Sequence, residues 1–104
     1  MLSVTDKNFS EVLGAPLAIV DFWHPECTHC VDFKPVIEQA ANDYNDSVLI
    51  VGARIDQCKK SANGYDIDGL PALVFFKEGQ EVHRTEGEMT REQLEALIAK
   101  HLGA

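Results

Sequence analysis

Positive charge is scarce in this chain: nine lysines and arginines stand against seventeen aspartates and glutamates in 104 residues, a net charge of −8. Neither nucleic acid nor an anionic membrane surface attracts such a balance, so neither is an expected partner. Apolar runs of spanning length are missing, which argues against a transmembrane helix. The opening residues, MLSVTDKNFSEV, carry no basic leader and no apolar segment, so no intact secretory signal is read and the cytoplasm is the default compartment. Three cysteines are too few and too unevenly placed to staple a secreted scaffold. Repeats, low-complexity tracts and linkers are absent too. The expectation is a single domain over residues 1–104, a monomer with one hydrophobic core.

What is present is concentrated at Cys27-Thr28-His29-Cys30, where an apolar strand gives way to a helix. Two thiols three residues apart on a first helical turn can close a disulfide with each other. The helix N-terminus lowers the pKa of the leading sulfur, so Cys27 can be a thiolate near neutral pH. A thiolate attacks a disulfide in another molecule, and a second cysteine within reach releases the mixed intermediate. The segment reads as a dithiol redox site.

The rest of the pattern places that site. Thr5 to Leu13 is expected to be a first helix, with Asp6 near its start and Gly14-Ala15-Pro16 ending it. Leu17 to Trp23 is a nearly unbroken apolar run, as in a central strand covered on both faces, with Asp21 the exception. After Cys27, Phe33, Val36, Ile37, Ala40, Ala41 and Tyr44 recur at helical spacing, and Pro35 is expected to kink the helix without ending it. Val48 to Ile55 is a second buried strand, followed by a weak helix from about Cys58 to Gly64. Ala72 to Phe76 is a third, turning through Lys77-Glu78-Gly79-Gln80 into a more polar strand, Glu81 to Glu86. Thr90-Arg91-Glu92-Gln93 is a capping box for a last helix presenting Leu94, Leu97, Ile98 and Leu102 on one face, with Gly103 at its end. The expected fold class is α/β: a central mixed sheet of four to five strands with helices on both faces.

The chain resembles the thioredoxin family over essentially its full length. The matching pieces are Val20-Asp21-Phe22-Trp23, the Cys27/Cys30 pair, Pro35, Ile55-Asp56-Gln57, Gly69-Leu70-Pro71, Phe76-Lys77-Glu78-Gly79 and Gly87. The resemblance implies a thioredoxin fold and a protein-disulfide oxidoreductase. It has Cys27 as nucleophile, Cys30 as resolving thiol, and Asp21 as a buried carboxylate beneath the cysteines that takes or returns the proton of Cys30 through water. Pro71 would be a cis-proline against the disulfide, with Leu70 and Ala72 offering backbone groups to a substrate peptide. Trp23, Thr28 and Gly87 would line the docking surface. No cofactor is implied beyond the redox-active Cys27–Cys30 disulfide, no metal, and electrons would come from a thioredoxin reductase or another dithiol donor.

The chain departs from the family at several positions. Thr28-His29 stands where reducing members usually carry Gly-Pro, Glu26 where an aromatic residue is common, and Gly52 where a lysine often faces the buried aspartate. Protonated His29 stabilises a Cys27 thiolate and favours oxidation or isomerisation of substrates, while Glu26 pushes the other way. Other readings stay open. His24, Cys27, His29 and Cys30 are clustered donors of types that suit zinc or an iron–sulfur centre. The Trp23/Pro71/Gly87 surface could serve a redox-inactive binding module, and Trp23, Leu70 and Asp21 could be packing or pairing residues. Cys58 reads as a small residue at a helix start that, if exposed, could join two chains on oxidation. His83 and His101 read as surface or helix-edge residues.

Overall fold

The computed structural model describes residues 1–103. Its elements are β1 (Leu2–Val4), α1 (Phe9–Leu13), β2 (Leu17–Trp23), α2 (Thr28–Asp43), β3 (Leu49–Arg54), α3 (Lys59–Gly64), β4 (Ala72–Lys77), β5 (Gln80–Glu86) and α4 (Arg91–Gly103). The strands form one sheet in the order β1-β3-β2-β4-β5, with β2 at the centre. β1 and β2 run parallel to β3, while β4 is antiparallel to both β2 and β5. The fold is the expected α/β arrangement with a five-stranded mixed sheet.

Strand alternation divides β2 between two cores. Ala18, Val20 and Phe22 pack with Phe9, Val12 and Ala62 on the side of α1 and α3. Leu17 and Ile19 pack with Phe33, Ile37, Leu94 and Ile98 on the side of α2 and α4. Asp21 and Trp23 share the parity of Ile19, so both belong to the α2 side. α2 continues past Pro35 to Asp43.

Several expectations are corrected. The first helix begins at Phe9, not Thr5, because Thr5 N–H is tied back to Asn8 Oδ1 at 2.7 Å in a turn. Asp6 serves a different helix: its carboxylate accepts from the backbone N–H of Lys60 and Ser61, both at 3.0 Å, and from Ser61 Oγ at 2.8 Å. β1 was not anticipated. Lys77 belongs to β4 and Gln80 to β5, so the turn is Glu78-Gly79 alone, both with positive φ, as a two-residue hairpin needs. In α4, Leu94 and Ile98 are buried but Leu102 is exposed. His83 and His101, read from sequence as surface or helix-edge residues, are half-buried, their rings in tilted contact with each other and in edge-on or tilted contact with Phe75.

Candidate active site

The carboxyl end of β2 delivers the chain into the redox turn. Cys27 is the N-cap of α2, and Cys30 lies within its first turn. The two are joined as a disulfide, with Cα atoms 5.2 Å apart. The pair is asymmetric. Cys30 is 1% exposed, whereas Cys27 is partly open to solvent. Cys30 N–H donates to Cys27 Sγ at 3.2 Å, so the helix directs a backbone dipole at the outer sulfur.

Three segments converge on that end of the sheet. Ala72 pairs with Phe22 on one side and Glu86 on the other, which sets the Leu70-Pro71 loop beside the end of β2. The Leu70–Pro71 peptide bond is cis. Gly87 N–H donates to Pro71 O at 2.8 Å and holds φ of +87°, a conformation that side-chain-bearing residues rarely adopt. Thr28 and His29 are exposed on the first turn of α2. Of the residues singled out from sequence, Thr28 is exposed, Trp23, Leu70 and Gly87 are half-buried, and Pro71 and Ala72 are buried, and the strand register sets the Leu70-Pro71 turn and Gly87 at the end of the sheet where β2 leads into α2. A cavity of about 440 Å³ opens beside Leu70, between His24, Asp56, Lys59 and Ile67.

Electrostatic contacts add what sequence reasoning missed. His29 Nδ1 lies 2.7 Å from Glu88 Oε1, within hydrogen-bond distance, a contact that bridges α2 to the loop after Gly87. His24 faces Asp56 instead, at 3.8 Å. The two histidines thus point to separate carboxylates rather than to the sulfurs. Glu88 carries no motif of its own, and 59 residues separate it from His29.

Asp21 is 1% exposed and lies opposite Gly52 in β3, as the sequence register anticipated. Burial pushes its carboxyl up from the usual 3.8 to about 7, and the charge of Lys34 works against that rise. Cys58 is fully buried, its thiol donating to Val4 O at 3.1 Å, and burial raises its pKa to about 11. It is neither exposed nor nucleophilic, which removes it as a surface cross-linking thiol. Among the described residues, no group of three or more His, Cys, Asp or Glu side chains is placed to hold a metal ion, and no helix is long and apolar enough to cross a membrane.

Known proteins match this chain along its length. The family model described as Thioredoxin matches residues 1–100. Thioredoxins of Staphylococcus saprophyticus and of Staphylococcus aureus strain Mu50 are each 32% identical over 102 residues, covering 98% of both chains. A thioredoxin of Staphylococcus epidermidis is 31% identical over the same extent.

Proposed function

This chain belongs to the thioredoxin family and is a thiol–disulfide oxidoreductase, and we propose that Cys27 is its attacking sulfur and Cys30 its resolving one. One observation carries the assignment: within a single bonded pair, the outer sulfur is reachable and receives a helix N–H, while the inner one is buried. A nucleophile must meet a macromolecular substrate, and a resolving thiol must not.

In the reducing direction the Cys27 thiolate attacks one sulfur of a substrate disulfide. A bond forms between Cys27 and the attacked sulfur, the substrate S–S bond breaks, and the other substrate sulfur leaves as a thiolate. Cys30 gives its proton, through water, to the Asp21 carboxylate and attacks Cys27 Sγ, the Cys27–substrate bond breaks, and the substrate sulfur that Cys27 held leaves as a thiolate. Two electrons pass to the substrate, and the Cys27–Cys30 disulfide is restored. No cofactor enters these steps. A separate dithiol donor, such as a thioredoxin reductase, returns the pair to its reduced state.

The substrate chain lies over Trp23, Thr28, Leu70, Pro71, Ala72 and Gly87. His29 adds positive charge beside Cys27 when protonated, and Glu88 at 2.7 Å offsets it. The site is therefore less oxidising than the Cys-Thr-His-Cys sequence alone implies. The protein acts as a one-domain monomer in the cytoplasm, without nucleic-acid or membrane partners.

Insulin disulfide reduction by dithiothreitol tests the reading. Wild type accelerates it and Cys27→Ser does not, while Cys30→Ser accumulates a mixed disulfide with substrate. Equal background rates for wild type and Cys27→Ser contradict the proposal. A binding module, by contrast, keeps its partner affinity in both serine variants.

A further inference from the structure

Asp21 receives nothing from its neighbours in the sheet. In β3 it faces Gly52, which has no side chain, and in β4 it faces the apolar Leu73. Its Oδ1 is buried without a hydrogen-bond partner. A carboxylate in that setting is costly to ionise unless an opposite charge stands near.

The opposite charge comes from the helix. Lys34 lies four residues after Cys30 on α2, one turn further along, and its Nζ sits 3.1 Å above the centre of the Trp23 ring. An ammonium over an indole face is attracted by the ring quadrupole, so the seat is favourable in itself. Trp23 follows Asp21 by two residues on the same face of β2, which carries the lysine charge toward the carboxylate. Gly52 also borders the indole: a methyl there would stand 3.4 Å from Trp23 Nε1, an ordinary contact distance. Arg54, which pairs with Trp23 in the β3 register, is bound to Asp56 at 2.8 Å. Beside the two cysteines, Lys34 is the α2 group whose charge reaches Asp21.

We infer that Lys34, seated on Trp23, is the counter-charge of Asp21, a positioning residue that keeps the buried carboxylate ready to accept the proton of Cys30. The inference deepens the role given to Asp21 above and rests on it. The proton leaves Cys30 Sγ for an Asp21 oxygen, and the electron pair left on sulfur forms the bond to Cys27. Without Lys34, more of Asp21 is already protonated at neutral pH, and that transfer has no acceptor.

The oxidised protein isolates the effect, because its disulfide cysteines do not titrate. The Asp21 carboxyl carbon is followed by NMR across pH in wild type, Lys34→Met, Lys34→Gln and Lys34→Arg, with Asp21→Asn to assign the signal. The midpoint is expected to move up by about one pH unit in Lys34→Met and Lys34→Gln, and to stay in place in Lys34→Arg. Loss of packing alone does not produce that split. The pH profile of single-turnover mixed-disulfide resolution should move in parallel. An unmoved midpoint in a folded charge-neutral variant overturns the role of Lys34, while a profile still altered by Asp21→Asn leaves that of Asp21 standing. A resolution profile unaffected by Asp21→Asn removes the proton-transfer reading, and the role of Lys34 with it.

Discussion

Asp21 couples the redox site to stability through its proton. Its folded pKa, about 7, lies above the ordinary 3.8, so folding favours the neutral form. The stability associated with that neutral form is complete below pH 4 and is lost as pH rises through about 7. At 1.36 kcal/mol per pH unit, the loss is on the order of 4 kcal/mol. Urea unfolding of the oxidised protein should show this decline between pH 4 and 8, and Asp21→Asn should flatten it. Equal slopes for the two proteins contradict the assignment. Glu88 acts on the reduction potential instead. At neutral pH, removing its charge leaves the surroundings of Cys27 less negative. Glu88→Gln should therefore raise the potential by about 5–20 mV, the range of an exposed ion pair for two electrons. Equilibration with glutathione measures it, and a potential that falls counts against a tempering role.

Among the elements, those with a local signal were legible in the sequence. The apolar run of β2 and the Thr90/Gln93 capping box took their expected form, the latter closing through hydrogen bonds of 2.9 and 3.2 Å, and the hairpin turn came in the expected place but shortened to Glu78-Gly79. Features made by distant pairing were not. β1 has three residues and exists by pairing with Val51, Gly52 and Ala53. Asp6 looked like the start of α1 because an aspartate beside a helix pattern is ordinarily a cap, yet its partners lie 54 and 55 residues away in α3. The Cys27/Cys30 pair was readable from its spacing and the cis Pro71 and the gap at Gly52 from the family resemblance, whereas Glu88 and Lys34 required the assembled sheet. Two element-level outcomes follow. Asp6→Ala should lower the denaturant midpoint at pH 7. Hydrogen bonds from Lys60 and Ser61 hold the Asp6 pKa below its usual range, so its contribution is lost as pH falls, and the difference between the two proteins should close in acid. A gap that persists unchanged at pH 2 contradicts this. Gly87→Ala, at φ of +87°, should cost about 1 kcal/mol or more in the same assay. A stabilised variant would mean that this loop relaxes freely.

At the scale of the whole molecule, the net charge of −8 governs encounter. Glu26 and Glu88 are both exposed near the disulfide, so the long-range field favours disulfides carried on basic segments. Reduction of a cationic peptide disulfide should outpace that of an anionic one of equal length at low salt, and the ratio should shrink as ionic strength rises past 0.1 M, where the Debye length is about 10 Å. A ratio indifferent to salt assigns the preference to contacts rather than to the field.

The account turns on Cys27 being the ionised and accessible sulfur of the pair. Reduced protein alkylated with iodoacetamide across a pH series, with the modified residue identified by mass spectrometry, tests this most directly. Modification confined to Cys27, with a midpoint well below the ordinary thiol value of about 8.5, is the predicted result. A midpoint at or above that value, or preferential labelling of Cys30, would contradict it.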